Sequence, residues 1–437
     1  MAEELETRFN QIKRIVNHAY RTVPLYRRKY DRVGIHPTDI RCLDDFRKLP
    51  ILTKTELQEG FPDDIISDRI RAEHCYVIST SGHSGSPVKL YRRKNELSIL
   101  PWLYLTAYPF IPTLVKRFTG IKAGRKTTLI FPRDESYDLY RAVESLSAIP
   151  AILTQSYQYL ATEDGAEAHL LALQAHRPDV IASDLSALKN IITYARSHQL
   201  EIPQVKVMFV GSELIDGHSR SLLTRAFGGK IVEHYGSEEA GTIAFECPNG
   251  DGLHLLRRTN YLEIIKDGHP APAGTAGEVV ITNLLNRATP IIRYNGMGDV
   301  ATINPLLCRC NNPQVTLKMV DGRVVDSFIL PDGRLIHPFK LTIPLEHIAG
   351  VGSYQIRQER PDLVRVLLVT DSGPASILNS DMVSVMTTSI ETGLQNILGS
   401  DVQIEVNTVD DIPHPPGPRH KARPVISLVN RNDSPPP

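Results

Sequence analysis

Cysteine is scarce: five residues in 437, an odd and scattered set that cannot form a disulfide framework and points to a reducing compartment, the cytoplasm. Neither sign of charge is in excess, with 49 Lys+Arg against 49 Asp+Glu. This excludes an overall electrostatic footprint for nucleic acid or an anionic membrane. No apolar run approaches the ~18 residues of a membrane span. The opening Met-Ala-Glu-Glu-Leu-Glu has no apolar stretch of the secretory kind. Internal repeats are absent. What is present is ordinary globular material, 41% hydrophobic and 22% charged, in a chain long enough for about two to three domains.

Leu5, Phe9, Ile12, Val16 and Ala19 recur at three- and four-residue steps, which predicts an amphipathic helix ended by Pro24. A Pro-rich connection with short capped helical pieces follows, and Cys75 to Thr80 reads as a strand. From about residue 125 to 245, apolar runs alternate with amphipathic helices, the pattern of parallel pairing in α/β layers. Between 255 and 320, short β-like runs (Tyr261 to Ile265, Gly277 to Thr282, Pro290 to Tyr294) predict a β-rich subdomain. The last hundred residues read as a small separate unit. Two strands flank the turn at Glu359 to Asp362. A helix follows, with Val383, Met386, Ile390, Leu394 and Ile397 on one face and Gly399 as its stop, and Val402 to Val406 is a last strand.

Four segments carry chemistry. Thr80-Ser-Gly-His-Ser-Gly-Ser-Pro87 packs hydroxyls and glycines behind a strand, a composition suited to cradling phosphate or simply to a surface loop. It lacks the Gly-Lys-Ser/Thr of a P-loop. His234-Tyr-Gly-Ser-Glu-Glu-Ala-Gly241 sets two carboxylates beside a Gly-rich turn, where Mg²⁺ can bind with phosphate oxygens. Arg293 to Asp299 puts an aspartate after a Gly turn, able to accept ribose hydroxyls. Asp321-Gly-Arg323 reads as a turn with a phosphate- or ribose-binding arginine.

In order and spacing, these segments resemble the adenylate-forming superfamily, on the branch of phenylacetate–CoA ligases and capsular-polysaccharide-type adenylating proteins. Residues 80–87 resemble the family's Ser-Gly-Thr-Thr-Gly-x-Pro loop. Residues 235–239 resemble its Tyr-Gly-x-x-Glu, continuing into Glu246-Cys247. Pro290-Ile-Ile-Arg-Tyr…Gly298-Asp299 resembles its Pro-x-x-Arg-Tyr…Gly-Asp. Ala19-Tyr…Val23-Pro-Leu-Tyr26 and Leu49-Pro-Ile-Leu-Thr-Lys54 also match, so the resemblance runs from about residue 10 to 430. It implies an N-terminal adenylation domain over 1–323, a small mobile α+β domain over 324–430, and a disordered tail over 431–437. It further implies ATP-dependent conversion of a carboxylic acid to acyl-AMP, then transfer to the thiol of coenzyme A. An aryl or arylacetic acid is the implied substrate.

Carried over by motif, Ser81, Gly82, Ser84 and Gly85 wrap the β- and γ-phosphates, and Glu239 holds Mg²⁺. Gly211, Ser212, Glu213 and the His234-Tyr235-Gly236 stretch border the nucleotide. Asp299 takes the ribose hydroxyls with Arg323 nearby, and Lys421 is the catalytic lysine of the C-terminal domain. Phe131, Tyr137, Tyr140 and Tyr235 are apolar or amphipathic enough to line the acid pocket implied by the resemblance; for each but Tyr235, core packing is the favoured alternative. His83 stands where the family has threonine, His420 where it has glycine before the lysine, and Val325 where many relatives carry a polar hinge residue. Transfer to a carrier-protein thiol or an amine is the alternative acceptor chemistry. A non-catalytic nucleotide-binding relative is the alternative of another class. Cys247, His254, Cys308 and Cys310 make a Cys₃His set that fits a structural zinc or, equally, buried unliganded thiols.

Overall fold

In the computed structural model, the residues described are 2–80, 87–94, 126–131, 156–247, 252–310, 315–346, 348, 350–370, 380–412 and 423–429. The first helix is α1 (Ala2–Thr22), with Ile12, Val16 and Ala19 fully buried along the predicted face. Pro24 does not end helicity. It starts α2 (Pro24–Arg32) at its first position, where a missing N–H costs nothing. Two short helices follow, α3 (Leu43–Arg47) and α4 (Lys54–Gly60). Thr53 caps α4 reciprocally: its hydroxyl accepts the Glu56 N–H, and the Glu56 carboxylate accepts the Thr53 N–H at 2.9 Å. A hairpin, β1 (Cys75–Ser79) with β2 (Lys89–Arg93), brackets the Ser81–Ser86 stretch, which lies outside the described residues.

Among the described residues, the main sheet has twelve strands. Five pair in parallel, in spatial order β4 (Ser156–Ala161), β3 (Lys126–Phe131), β5 (Val180–Asp184), β6 (Val207–Gly211) and β7 (Lys230–Ser237). Helices α5 (Gly165–His176), α6 (Leu185–Ser197) and α7 (Gly217–Phe227) connect and cover them. Leu188, Ile191, Met208, Leu223 and Phe227 fill the layer between at zero exposure. At β7 the sheet turns antiparallel and runs on through β8 (Gly241–Glu246), β9 (Leu253–Leu255), β14 (Thr316–Arg323), β13 (Asp299–Ile303), β12 (Ala276–Asn283), β10 (Asn260–Lys266) and β11 (His269–Pro270). The β-rich stretch is therefore the antiparallel half of one sheet, and α1, α2 and α4 pack on it.

Two local expectations change. Pro290 to Tyr294 is not a strand, although Tyr294 bridges both Leu52 and Ile281. Asp321-Gly-Arg323 is not a turn but the end of β14, where Gly322 takes a φ of +103° at a bulge.

Beyond Arg323 a small hairpin, β15 (Phe328–Ile329) with β16 (Leu335–Ile336), leads to α8 (Pro338–Thr342) and a second sheet. That sheet is β17 (Val351–Arg360), β18 (Leu363–Thr370), β19 (Gln403–Thr408) and β20 (Val425–Ser427), in spatial order β19-β18-β17-β20. Helix α9 (Ser380–Leu398) joins β18 to its parallel neighbour β19. It buries Met386, Ile390 and Leu394 in a core drawn only from residues 328–425. Gly399 follows at φ +91°, the left-handed stop.

This unit docks on the N-terminus of α7. Asp216 caps the helix by accepting the Ser219 N–H at 2.6 Å, and its second oxygen accepts the Tyr354 hydroxyl. The Gly217 N–H donates to Glu346 at 3.2 Å, and the His218 ring meets the Gly352 carbonyl at 3.0 Å. A Cβ on Gly217 would come within 2.8 Å of the Glu346 carboxyl, so a side chain there would displace that carboxyl from the Gly217 N–H. Burial raises Asp216, but Lys189, Ser219 and Tyr354 outweigh it and hold the carboxyl below its ordinary value, ionised. Tyr354→Phe removes a hydroxyl donor from this buried charge, an interaction of about 1.5–3 kcal/mol. Faster limited proteolysis between the two units is the expected result.

Candidate active site

Three of the four motifs, at 234–241, 293–299 and 321–323, meet at the switch from parallel to antiparallel pairing. Strand β7 supplies His234 and Tyr235, and the turn after it supplies Glu239. The Tyr235 hydroxyl donates to Asp299 Oδ2 at 2.8 Å. Asp299 opens β13 directly opposite Arg323 on β14, so Tyr235, Asp299 and Arg323 form one cluster. Burial, with the Asp299 charge beside it, pushes the Tyr235 phenol well above its ordinary value, which keeps it a donor. Glu239 is 5% exposed, and its Oε1 accepts the Tyr294 hydroxyl at 2.9 Å.

His234 is half-buried, with its Nε2 2.8 Å from Thr242 Oγ1, and desolvation lowers its pKa to about 4. It therefore presents a neutral ring at pH 7. Gly211, at the end of β6, sits beside His234. A Cβ there would lie 2.4 Å from the His234 carbonyl oxygen, which is why glycine stands at this point of the pattern. Ser212 follows at φ +68°. The Glu213 carboxylate turns toward α6, where it accepts the Ser186 N–H at 3.0 Å and the Ser186 hydroxyl at 2.6 Å. Its side chain thus fixes the loop after β6. Gly236 packs against the Gly241 carbonyl with no space for a side chain.

The N-terminal motifs, which carried no role in the sequence reading, prove to be the scaffold of this site. Tyr26 donates to the Pro290 carbonyl at 2.7 Å and accepts the Ile292 N–H at 3.0 Å. The Arg293 guanidinium pairs with both oxygens of Glu263, at 3.1 and 3.3 Å, and donates to the carbonyls of Arg47 and Leu49. The Leu52 N–H then donates to the Arg293 carbonyl at 2.9 Å. Tyr26, Arg47, Leu49 and Leu52 thereby hold the 290–294 segment, and its Tyr294 holds Glu239. Arg92 binds the Glu238 carbonyl at 2.6 Å, tying the hairpin that brackets residues 81–86 to the same turn. Glu246 is also structural: it accepts the Glu233 N–H at 2.8 Å and pairs with Arg220 at 3.1 Å.

Ser81, Gly82, Ser84, Gly85, Lys421, Tyr137 and Tyr140 lie outside the described residues, as does the side chain of Phe131. Arg423, two residues after Lys421, forms an ion pair with Asp326. Burial lowers the Arg423 pKa, and the neighbouring positive charge of Arg323 lowers it further. Arg423 is thus close enough to Arg323 to feel its charge, a proximity that no spacing in the sequence signals.

Cys247 at the end of β8, His254 on β9, and Cys308 and Cys310 in the connection from β13 to β14 converge, with donor atoms all within 4.8 Å of one another. Cys247 Sγ lies 3.2 Å from Cys308 Sγ, and Cys310 Sγ lies 3.2 Å from His254 Nε2. Burial, with the Cys247 and Cys310 thiols alongside, pushes Cys308 up to about 12. Three thiols and one imidazole at this separation are the donor set and the spacing of a closed zinc shell.

The fold is that of solved acyl-CoA ligases. The solved structure of a 2-hydroxyisobutyryl-CoA ligase in a postadenylation state superposes with a TM-score of 0.79, covering 99% of this chain and 90% of that one at 19% identity. In sequence, the chain is similar to phenylacetate–CoA ligases. It is 26% identical to that of Escherichia coli over 368 residues (80% of this chain, 78% of that one). It is 28% identical to that of Aromatoleum evansii over 340 residues (75% and 73%). No protein-family model matches the chain. Among the described residues, no helix is long and apolar enough to cross a membrane.

Proposed function

We propose that this protein is an AMP-forming acid–CoA ligase for aryl or arylacetic acids. The carboxylate oxygen attacks the α-phosphorus of ATP, the bond to the bridging oxygen breaks, and pyrophosphate leaves. The thiol of coenzyme A, losing its proton, then attacks the carbonyl carbon, and AMP leaves. The observation that carries this reading is the convergence of Tyr235, Asp299 and Arg323 beside the Glu239–Tyr294 pair. Asp299, with the Tyr235 hydroxyl on Oδ2, is the carboxylate that would accept ribose hydroxyls. Neutral His234 and the Gly211–Ser212 backbone border the base, and residues 81–86 cradle the outer phosphates.

Glu239 is the carboxylate that would hold Mg²⁺, a hard cation that takes one or two protein carboxylates with phosphate oxygens. When bound, it would neutralise charge on the phosphates. Lys421, on a unit over 324–430 that moves between the half-reactions, stabilises the charge developing in the first step. The protein acts in the cytoplasm.

ATP–pyrophosphate exchange across a panel of aryl, arylacetic, short-chain and amino acids, without CoA, tests the reading. Exchange with the aryl or arylacetic class is expected, and silence across the panel overturns it. Lys421→Ala is expected to slow exchange by about a hundredfold or more, as the loss of one donor to a developing charge does. Thioester formation from supplied acyl-AMP should persist in that variant. Normal exchange would place the catalytic lysine elsewhere.

The Cys247–His254–Cys308–Cys310 shell would hold a structural zinc joining the β8–β9 turn to the β13–β14 connection. Metal analysis of the native protein is then expected to find close to one zinc per chain. Cys308→Ser should lose that zinc and lower Tm. Metal-free native protein of unchanged Tm would leave the four residues as packed thiols and an imidazole.

A further inference from the structure

Helix α1 buries one face and presents another. Lys13, Arg14, His18 and Arg21 run along its outer flank, and Arg69 and Arg287 close the opposite wall of a groove of about 610 Å³. Five permanent cations face this space. Among the described residues, none of the five forms an ion pair, whereas many arginines elsewhere are paired with carboxylates. The acid that acts on the His18 ring is Asp68, which is exposed and whose backbone N–H is bound to the Thr22 carbonyl. At the His18 ring, burial is the largest influence and lowers its pKa. The Arg287 carbonyl, 2.9 Å from Nε2, opposes burial, while the charges of Arg287 and Arg69 lower the pKa further and outweigh Asp68. The potential in the groove is therefore positive in a chain whose charges otherwise cancel.

Crowded like charges repel, and the energy is recovered when a polyanion enters. Four of the five cations are arginines, whose forked donors fit phosphate oxygens two at a time. The volume falls in the range of small-molecule sites. No large exposed apolar side chain lines the groove to enter a bilayer. We propose that this groove binds a small molecule carrying two or more phosphate groups, at a site apart from the adenylation centre. Arg287 belongs to the same segment as Asn283, whose side chain donates to the Ala240 carbonyl at 2.9 Å, next to Glu239. Occupancy of the groove is thus one segment away from the metal-binding carboxylate. The proposal stands independently of the adenylation reading, because it rests on different residues.

Calorimetric titration of the full chain with inorganic tripolyphosphate, CoA and 3′-dephospho-CoA tests it, against the double variant Arg14→Glu/Arg287→Glu. Both side chains are exposed, so the variant is expected to keep the wild-type Tm and its ATP–pyrophosphate exchange. The expected result is a binding event in the wild type that the variant weakens by about tenfold or more, as reversing two charges at a contact should. Tighter binding of CoA than of tripolyphosphate would identify a nucleotide ligand; the reverse order would identify inorganic polyphosphate. A drop for CoA but not for 3′-dephospho-CoA would locate the 3′-phosphate in the groove. A titration of the His18 ring by NMR gives a second reading, its pKa rising when tripolyphosphate is added to the wild type. Identical isotherms in wild type and variant overturn the proposal, as does binding only to phosphatidylglycerol vesicles.

Discussion

Arg293→Met is expected to destabilise the protein by about 3–5 kcal/mol, the cost of leaving one partner of a buried ion pair without the other. Arg293 and Glu263 have side chains only 7% and 5% exposed, and the guanidinium also satisfies the carbonyls of Arg47 and Leu49. Methionine fills the volume but supplies none of the donors. The cost should depend on pH, and its sign follows from Glu263. Burial raises the Glu263 pKa, and the Arg293 charge is the main influence opposing that rise. Without Arg293 the pKa rises further. A carboxyl whose folded pKa lies above its unfolded value contributes stability below the unfolded pKa and loses it as pH climbs through the folded one. The deficit of Arg293→Met relative to wild type should therefore be smallest near the ordinary carboxylate range and grow toward neutral pH. Urea unfolding followed by circular dichroism at several pH values measures it. Adding Glu263→Gln should remove the pH dependence but not the whole deficit, because the two carbonyls stay unsatisfied. A flat deficit in the single variant would mean that Glu263 is not the group left stranded.

Much of this architecture is legible in the sequence because its signals are periodic. The three- and four-residue steps of α1 and α9 specify a buried face that depends little on the rest of the chain. The alternation from 125 to 245 specifies parallel pairing for the same reason. Pro24 misleads because proline forbids a helix interior and favours a helix start alike, and only the direction of the following chain decides between them. Pro290 to Tyr294 misleads because its apolar run is buried by neighbours more than two hundred residues away, Tyr26 and Leu52, rather than by a strand ladder. The site divides in the same way. Glu239, Tyr235, Asp299 and Arg323 are legible as candidates because glycines and charges cluster in short motifs. That Arg293 is a staple and Tyr294 a positioner was not legible, since their partners Glu263 and Glu239 stand thirty and fifty-five residues away. The Cys₃His cluster was visible as residue types, but its closure depends on β9 pairing with β14, which sets His254 opposite Thr316.

Glu239→Gln separates the chemistry of the site from its architecture. Glutamine keeps a carbonyl oxygen to accept the Tyr294 hydroxyl, so the turn after β7 and the fold should persist. What is lost is the negative charge that would hold Mg²⁺ against the phosphates. A metal acting on developing phosphate charge contributes several kcal/mol to a transition state, so exchange should fall by at least about a hundredfold. Thioester formation from supplied acyl-AMP does not pass through the pyrophosphate-releasing step and should change far less. Tyr294→Phe is the complementary variant. It keeps the carboxylate and removes its orienting hydroxyl, so a milder loss of about tenfold is expected, the size of one hydrogen bond to a charged group. Raising Mg²⁺ should recover part of that loss, because a misdirected carboxylate still binds the cation, only more weakly. The same titration should leave Glu239→Gln unrecovered. Normal exchange by Glu239→Gln would put the metal on another carboxylate, and equal losses in both variants would make Glu239 a structural acid like Glu246.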